Sequence, residues 1–231
     1  MRLRSGLVVC IQGETCFQSY GPGKYRPLGS LHNVFLCLER HHIDEILLVS
    51  PASNPVNGHF TALALDQITN WYVSVPTLQM GHLANNESFA AHCEIGYFER
   101  FVFASPLFER DLTWIDKYRD KFGSQSIVGC IPFMANESGG FVYWSDGRTR
   151  PLTQEDVDYA FHYCDEVIFQ DMDNYGSLGC FNLEILSDFT IYVENTILSG
   201  GIGEKTRAYA KSHGYAAVYF DNAIMHQEGG L

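Results

Sequence analysis

Short apolar runs along this chain alternate with longer segments in which apolar residues return every three or four positions. Gly6–Ile11, Glu45–Val49, Tyr72–Thr77, Arg100–Phe103, Ser126–Ile131 and Glu166–Gln170 have the length and composition of buried strands. The segments 28–42, 60–70, 87–95, 111–122 and 153–163 have helical spacing; in the first, Leu31, Val34, Phe35 and Leu38 share one face. Thr153 and Asp156 have the spacing of a capping box at the start of the last of these helices. A D-G pair within the alternating stretch Gly139–Pro151 predicts a small hairpin after the fifth strand. The most structured stretch is Thr196–Ile224: an apolar strand, a turn at Gly200, Gly201 and Gly203, a helix over Glu204–His213 and a last strand at Ala216–Phe220. Eight strands separated mostly by helices predict a parallel sheet closed into a (β/α)8 TIM barrel of phosphate-binding type, one domain over residues 1–231.

Length and composition agree with one large core, since 231 residues are 46% hydrophobic. No apolar run is long enough to span a bilayer, and Arg2 and Arg4 before the first apolar run introduce a strand rather than a leader. The seven cysteines are scattered without a C-x-x-C pair, which implies neither a zinc ribbon nor a disulfide framework and points to a cytoplasmic protein. A net charge of -12 with no basic stripe excludes nucleic acid as the main partner. No membrane association, metal or cofactor is expected.

Glycines between a strand and a helix let backbone amides approach an anion beside the positive end of the helix dipole. The Gly200–Gly203 turn is therefore either a phosphate cradle or an ordinary tight turn. The nine histidines show no metal-ligand spacing: His41 and His42 end a helix, while His32, His59 and His162 stand alone. His82 and His226 come just after strand ends and are either general bases or loop residues. Asp171 and Asp173 alternate around Met172, which makes Asp173 the inward candidate acid. Tyr20, Tyr25 and Tyr175 either stack on a ligand or pack a loop; Lys24 and Arg26 supply local positive charge at the mouth.

The set V-V-C-I-Q, I-D-E-I-L-L-V, D-E-V-I-F-Q-D-M-D-N-Y-G-S-L-G and I-L-S-G-G-I-G, in that order, resembles the cyclase subunit of imidazole glycerol phosphate synthase over most of the chain. The sister isomerase of histidine biosynthesis is the relative to distinguish. The resemblance implies a lyase-type barrel that binds phosphate at both halves of its mouth, receives ammonia from a glutaminase subunit and uses two aspartates. Here the strand-one aspartate falls on Gln12 and the strand-five one on Pro132; Asp173 is kept, and the acidic position after it is Tyr175. Asp173, Gln12 and Tyr175 are the candidate catalytic positions. The first phosphate turn reads L-Q-M-G-H and keeps Gly81, whereas Gly176, Gly200, Gly201, Gly203, Asn222 and Ala223 make up the second.

At the opposite end the family gates ammonia with a ring of charges. Glu45, Arg100 and Glu166 match three of its members, the fourth position falls on Gly6, and Glu99 matches an acid that faces the glutaminase. A structural ion cluster is the alternative reading of these residues. The segment after strand eight is too short for the usual last helix, which predicts an exposed apolar seam between strands eight and one and a homodimer or partner contact there. The implied function is an ammonia-dependent amidotransferase or cyclase-type step with a glutaminase-like partner, on a small phosphorylated or anionic ligand. Relatives of this kind also occur beside surface-polysaccharide genes, where amidated sugars are the implied product. The alternative is a barrel that binds an anion or a protein and catalyses nothing.

Overall fold

The structure is a computed structural model that describes residues 2–21, 24–38, 43–49, 76–80, 99–145, 147–177 and 179–221. Eight strands run parallel: β1 (Arg4–Gln12), β4 (Glu45–Val49), β5 (Pro76–Met80), β6 (Arg100–Phe103), β7 (Ile127–Ala135), β10 (Glu166–Asp171), β11 (Thr196–Ser199) and β12 (Ala217–Phe220). Each pairs with the next in that order. β12 returns to pair with β1, so the sheet has no free edge and forms a (β/α)8 barrel.

Closure assigns every strand residue to one of two cores. Val8, Leu47, Val102, Val128, Ile168, Ile197 and Tyr219 pack together inside the ring. Their neighbours Leu7, Ile46, Phe101, Ile127, Val167, Leu198 and Val218 face outward, in one cluster with helix residues such as Ile115, Val157 and Ala210. These helices are α1 (Leu31–Leu38), α2 (Ser105–Glu109), α3 (Thr113–Phe122), α4 (Gln154–Tyr163), α5 (Ile185–Asp188) and α6 (Glu204–His213).

Three expectations change. Residues 25–30 form β3, antiparallel to β2 (Thr15–Ser19), and α1 starts only at Leu31, where Ser30 Oγ accepts the Asn33 N–H at 3.3 Å. Pro27 and Gly29 are poor helix formers, which an apolar period starting at Leu28 does not reveal. The third barrel strand, described at Pro76–Met80, runs past the expected end at Thr77, and residues 72–75 lie outside the described residues. The exposed seam is absent: Leu7 and Val9 on β1 and Val218 and Phe220 on β12 are at most 4% exposed, which removes the basis for a homodimer through it. The helices expected at 60–70 and 87–95 lie outside the described residues.

The hairpin after the fifth barrel strand is present as β8 (Phe141–Ser145) and β9 (Arg148–Pro151), with β8 paired to the upper part of β7. Asp156 ties it to α4. Its carboxylate accepts two hydrogen bonds from Arg150 at 2.7 and 2.8 Å, one from Arg110 at 3.1 Å, and the Thr153 N–H and hydroxyl of the capping box. Burial alone would raise its pKa, but the bonds from Arg150 and Thr153 bring it down to about 2. A depressed carboxylate stabilises the fold above its unfolded pKa near 4, and that contribution is lost as pH falls towards 2. Asp156→Asn is expected to cost about 3 kcal/mol in urea unfolding at pH 7, and the difference from the parent should shrink as pH falls from 4 towards 2.

Candidate functional site

Two ends of the barrel axis carry polar residues. At the N-terminal end, Glu45, Arg100 and Glu166 start β4, β6 and β10 and point inward in one layer. Arg4 completes the network: it meets Glu45 at 2.9 Å and Glu166 at 2.6 Å, and Arg100 pairs with Glu166 and lies 3.6 Å from Glu45. Two arginines and two carboxylates form a neutral cluster, the condition under which buried charges are tolerated. Period two places Arg4 on the same face as Gly6, one pleat lower.

The space at Gly6 belongs to Tyr219. A Cβ on Gly6 would lie 2.2 Å from the Tyr219 ring, and the fully buried tyrosine crosses β1 to donate its hydroxyl to Glu45. Burial, with the Glu45 charge behind it, holds that hydroxyl well above its usual pKa, so it remains a donor. Glu99, just before β6, is exposed beside this end.

At the C-terminal mouth the expected phosphate turn is already filled. The Gly176 and Gly201 N–H groups both donate to Oδ2 of Asp221, each at 3.2 Å. Asp221 comes directly after β12 and is 6% exposed. Its Oδ1 and the Ser199 Oγ are buried without a hydrogen-bond partner among the described residues. Burial pushes the Asp221 carboxyl up to about 6, against the pull of the two amides. A cavity of about 20 Å³, the size of one water, lies beside it and is lined by Val9, Cys10, Gln18, Ser19 and Tyr175.

The mouth loops approach closely. A Cβ on Gly200, whose φ is +91°, would meet the Asp171 carbonyl oxygen at 2.2 Å, and one on Gly176 would meet that of Ser19 at 2.4 Å. Gly200 therefore serves packing, and Gly203 occupies the N-cap position of α6. Ser19 and Tyr20, at the end of β2, lie against Gly176.

The candidate acids do not converge. Asp173 is exposed and accepts the Ala135 N–H at 2.7 Å, and counting by two from outward Phe169 already places residues 171 and 173 away from the interior. This corrects its inward assignment. Asp171 is buried and shapes its loop by accepting N–H bonds from Asn174 and Asn182. Tyr175 is buried, its hydroxyl held well above its usual pKa by burial and by Asp221, which suits packing better than stacking on a ligand. Gln12 is the last residue of β1, and Pro132 pairs in register with Gln170. Cys10 and Cys130 are buried, and burial raises both thiols far above neutrality. Among the described residues no group of histidine, cysteine and carboxylate side chains is placed to hold a metal. Gly81, His41, His42, His59, His82, His226, Asn222 and Ala223 lie outside the described residues.

A closed parallel barrel with an ion cluster at its base and glycine-built turns at its mouth defines a (β/α)8 barrel of the phosphate-binding type. The family model for histidine biosynthesis proteins matches residues 24–228, and the chain belongs to that family. Comparison with curated proteins returns no match.

Sequence reasoning missed Arg4, Tyr219 and Asp221. The first was within reach, two residues before Gly6 on the same face. The other two required knowing which side chains cross the barrel. Gly6→Ala is expected to cost about 1–3 kcal/mol by overpacking against Tyr219, and Tyr219→Leu in the same chain should recover part of it in a double-mutant cycle. A raised carboxyl makes the fold lose stability as pH rises from about 4 to about 6, so Asp221→Asn should flatten that slope, a change of about 2–3 kcal/mol read by urea unfolding at the two pH values.

Proposed function

We propose that this protein is a cyclase-type barrel subunit that works with a glutaminase-type partner in an ammonia-dependent step. The observation that carries this reading is the network of Arg4, Glu45, Arg100 and Glu166 across the base of the axis. A barrel needs no buried charges at its base for stability, because apolar residues of similar volume serve as well. The network suits a switchable closure, since each carboxylate has two arginine partners and can exchange one while keeping the other. Above it, Val8, Leu47, Val102, Val128, Ile168 and Ile197 form an apolar layer. Such a layer admits neutral ammonia in preference to ammonium, whose charge would be desolvated there. Exposed Glu99 lies where the partner would dock.

The cyclase chemistry of the family is not carried over, because Gln12 and Pro132 stand at the aspartate positions and neither side chain can shuttle a proton as a carboxylate does. A phosphate-bearing ligand is not carried over either, because Asp221 occupies the amides that would anchor it.

A second reading is a barrel that catalyses nothing and serves as a binding partner. Tyr219 favours it, since its ring fills the interior at the level of Gly6 and leaves the axis closed in this conformation. Mixing the barrel with a glutaminase subunit of the imidazole glycerol phosphate synthase type separates the two. An increase in glutamine hydrolysis of about tenfold or more, lost in Arg100→Ala while the variant still binds the partner, is expected on the first reading. Unchanged hydrolysis in a complex that does form would leave only the second.

A further inference from the structure

We propose that Asp221 is a tethered anion: it fills the amide pair of Gly176 and Gly201 in place of a phosphate and makes the mouth of this barrel refuse phosphorylated ligands. The inference does not depend on a glutaminase partner, because it concerns only the C-terminal mouth. Its geometry is direct. Two backbone N–H groups from different loops, those after β10 and β11, converge at 3.2 Å on a single oxygen from a third element, the end of β12. Amides brought together in this way, just before the N-terminus of a ten-residue helix, form an anion site, and here the chain supplies the anion.

A phosphate oxygen would have to displace Asp221 Oδ2 from both amides. It would then stand beside the displaced carboxylate, because Asp221 is buried and the adjoining cavity is only about 20 Å³. Two like charges in a space shielded from solvent repel strongly. Ser19 makes escape harder: its carbonyl lies so close to Gly176 that no Cβ could stand between them. The unpartnered Oδ1 points to the same conclusion from another side. A carboxylate placed only to pin two loops would satisfy both oxygens. This one satisfies only the oxygen that meets the amides and leaves the other bare, as a residue does when its position is set by the anion site.

The test uses the full chain labelled with ¹⁵N and titrated with inorganic phosphate at pH 8, with chloride holding the ionic strength constant. The parent Gly176 and Gly201 amide signals are expected to stay in place. In Asp221→Ser, which removes the carboxylate and opens its volume, both signals should move saturably, with phosphate affinity about tenfold or more above any residual affinity of the parent. Saturable movement of both amides in the parent would overturn the proposal, as would their immobility in folded Asp221→Ser. Should the serine variant fail to fold, Asp221→Ala likewise removes the carboxylate and opens its volume. Measurable phosphate binding is then expected, and its absence would overturn the proposal equally.

Discussion

Closure of the eight-stranded ring is the constraint on which every other feature of the molecule depends. Once β12 pairs with β1, every second side chain of every barrel strand must enter an interior without solvent, and only apolar residues, mutually paired charges or hydrogen-bonded polar groups can occupy it. The described residues meet this condition in three levels: an ion network at the base, an apolar layer above it, and a mixed level of Cys10, Cys130 and Gln170 below the mouth, where the Ser199 hydroxyl is an exception without a partner among the described residues.

The two ends changed in the same way. At the base the expected arginine position is a glycine, and both its charge and its space are supplied from elsewhere, by Arg4 and Tyr219. At the mouth, the amides expected to hold a ligand's phosphate hold the chain's own Asp221. In each case a side chain from elsewhere in the chain occupies the place that the resemblance led one to expect for another group. The frame was therefore legible in sequence and the occupants were not.

Most of the architecture could be read from periodicity. The α6 range, the β8–β9 hairpin and the Thr153–Asp156 capping box stand where local pattern placed them, because each is decided by neighbours close in sequence. The β2–β3 hairpin escaped because its strands pair through a bulge at Cys16 and Phe17 and carry Pro27 and Gly29, so no clean alternation marks them. Asp173 faces solvent because period two, counted from inward Ile168, places it off the interior on the same side as Asp171. The candidate site was the least legible part: Tyr219 reaches Glu45 across 174 positions, Asp221 binds amides 45 and 20 positions away, and a carboxylate that binds backbone amides leaves no motif.

The contact between Gly6 and Tyr219 also bears on how such a barrel can change over evolutionary time. With the tyrosine ring in the space of a β1 side chain, any residue larger than glycine at position 6 is barred until position 219 becomes small, and a smaller residue at 219 opens a hole until position 6 is filled. Neither step is easy alone, so the first and last strands of the chain are bound to vary as a pair. A change to a large residue at position 6 would have to pass through a destabilised intermediate unless position 219 changed with it.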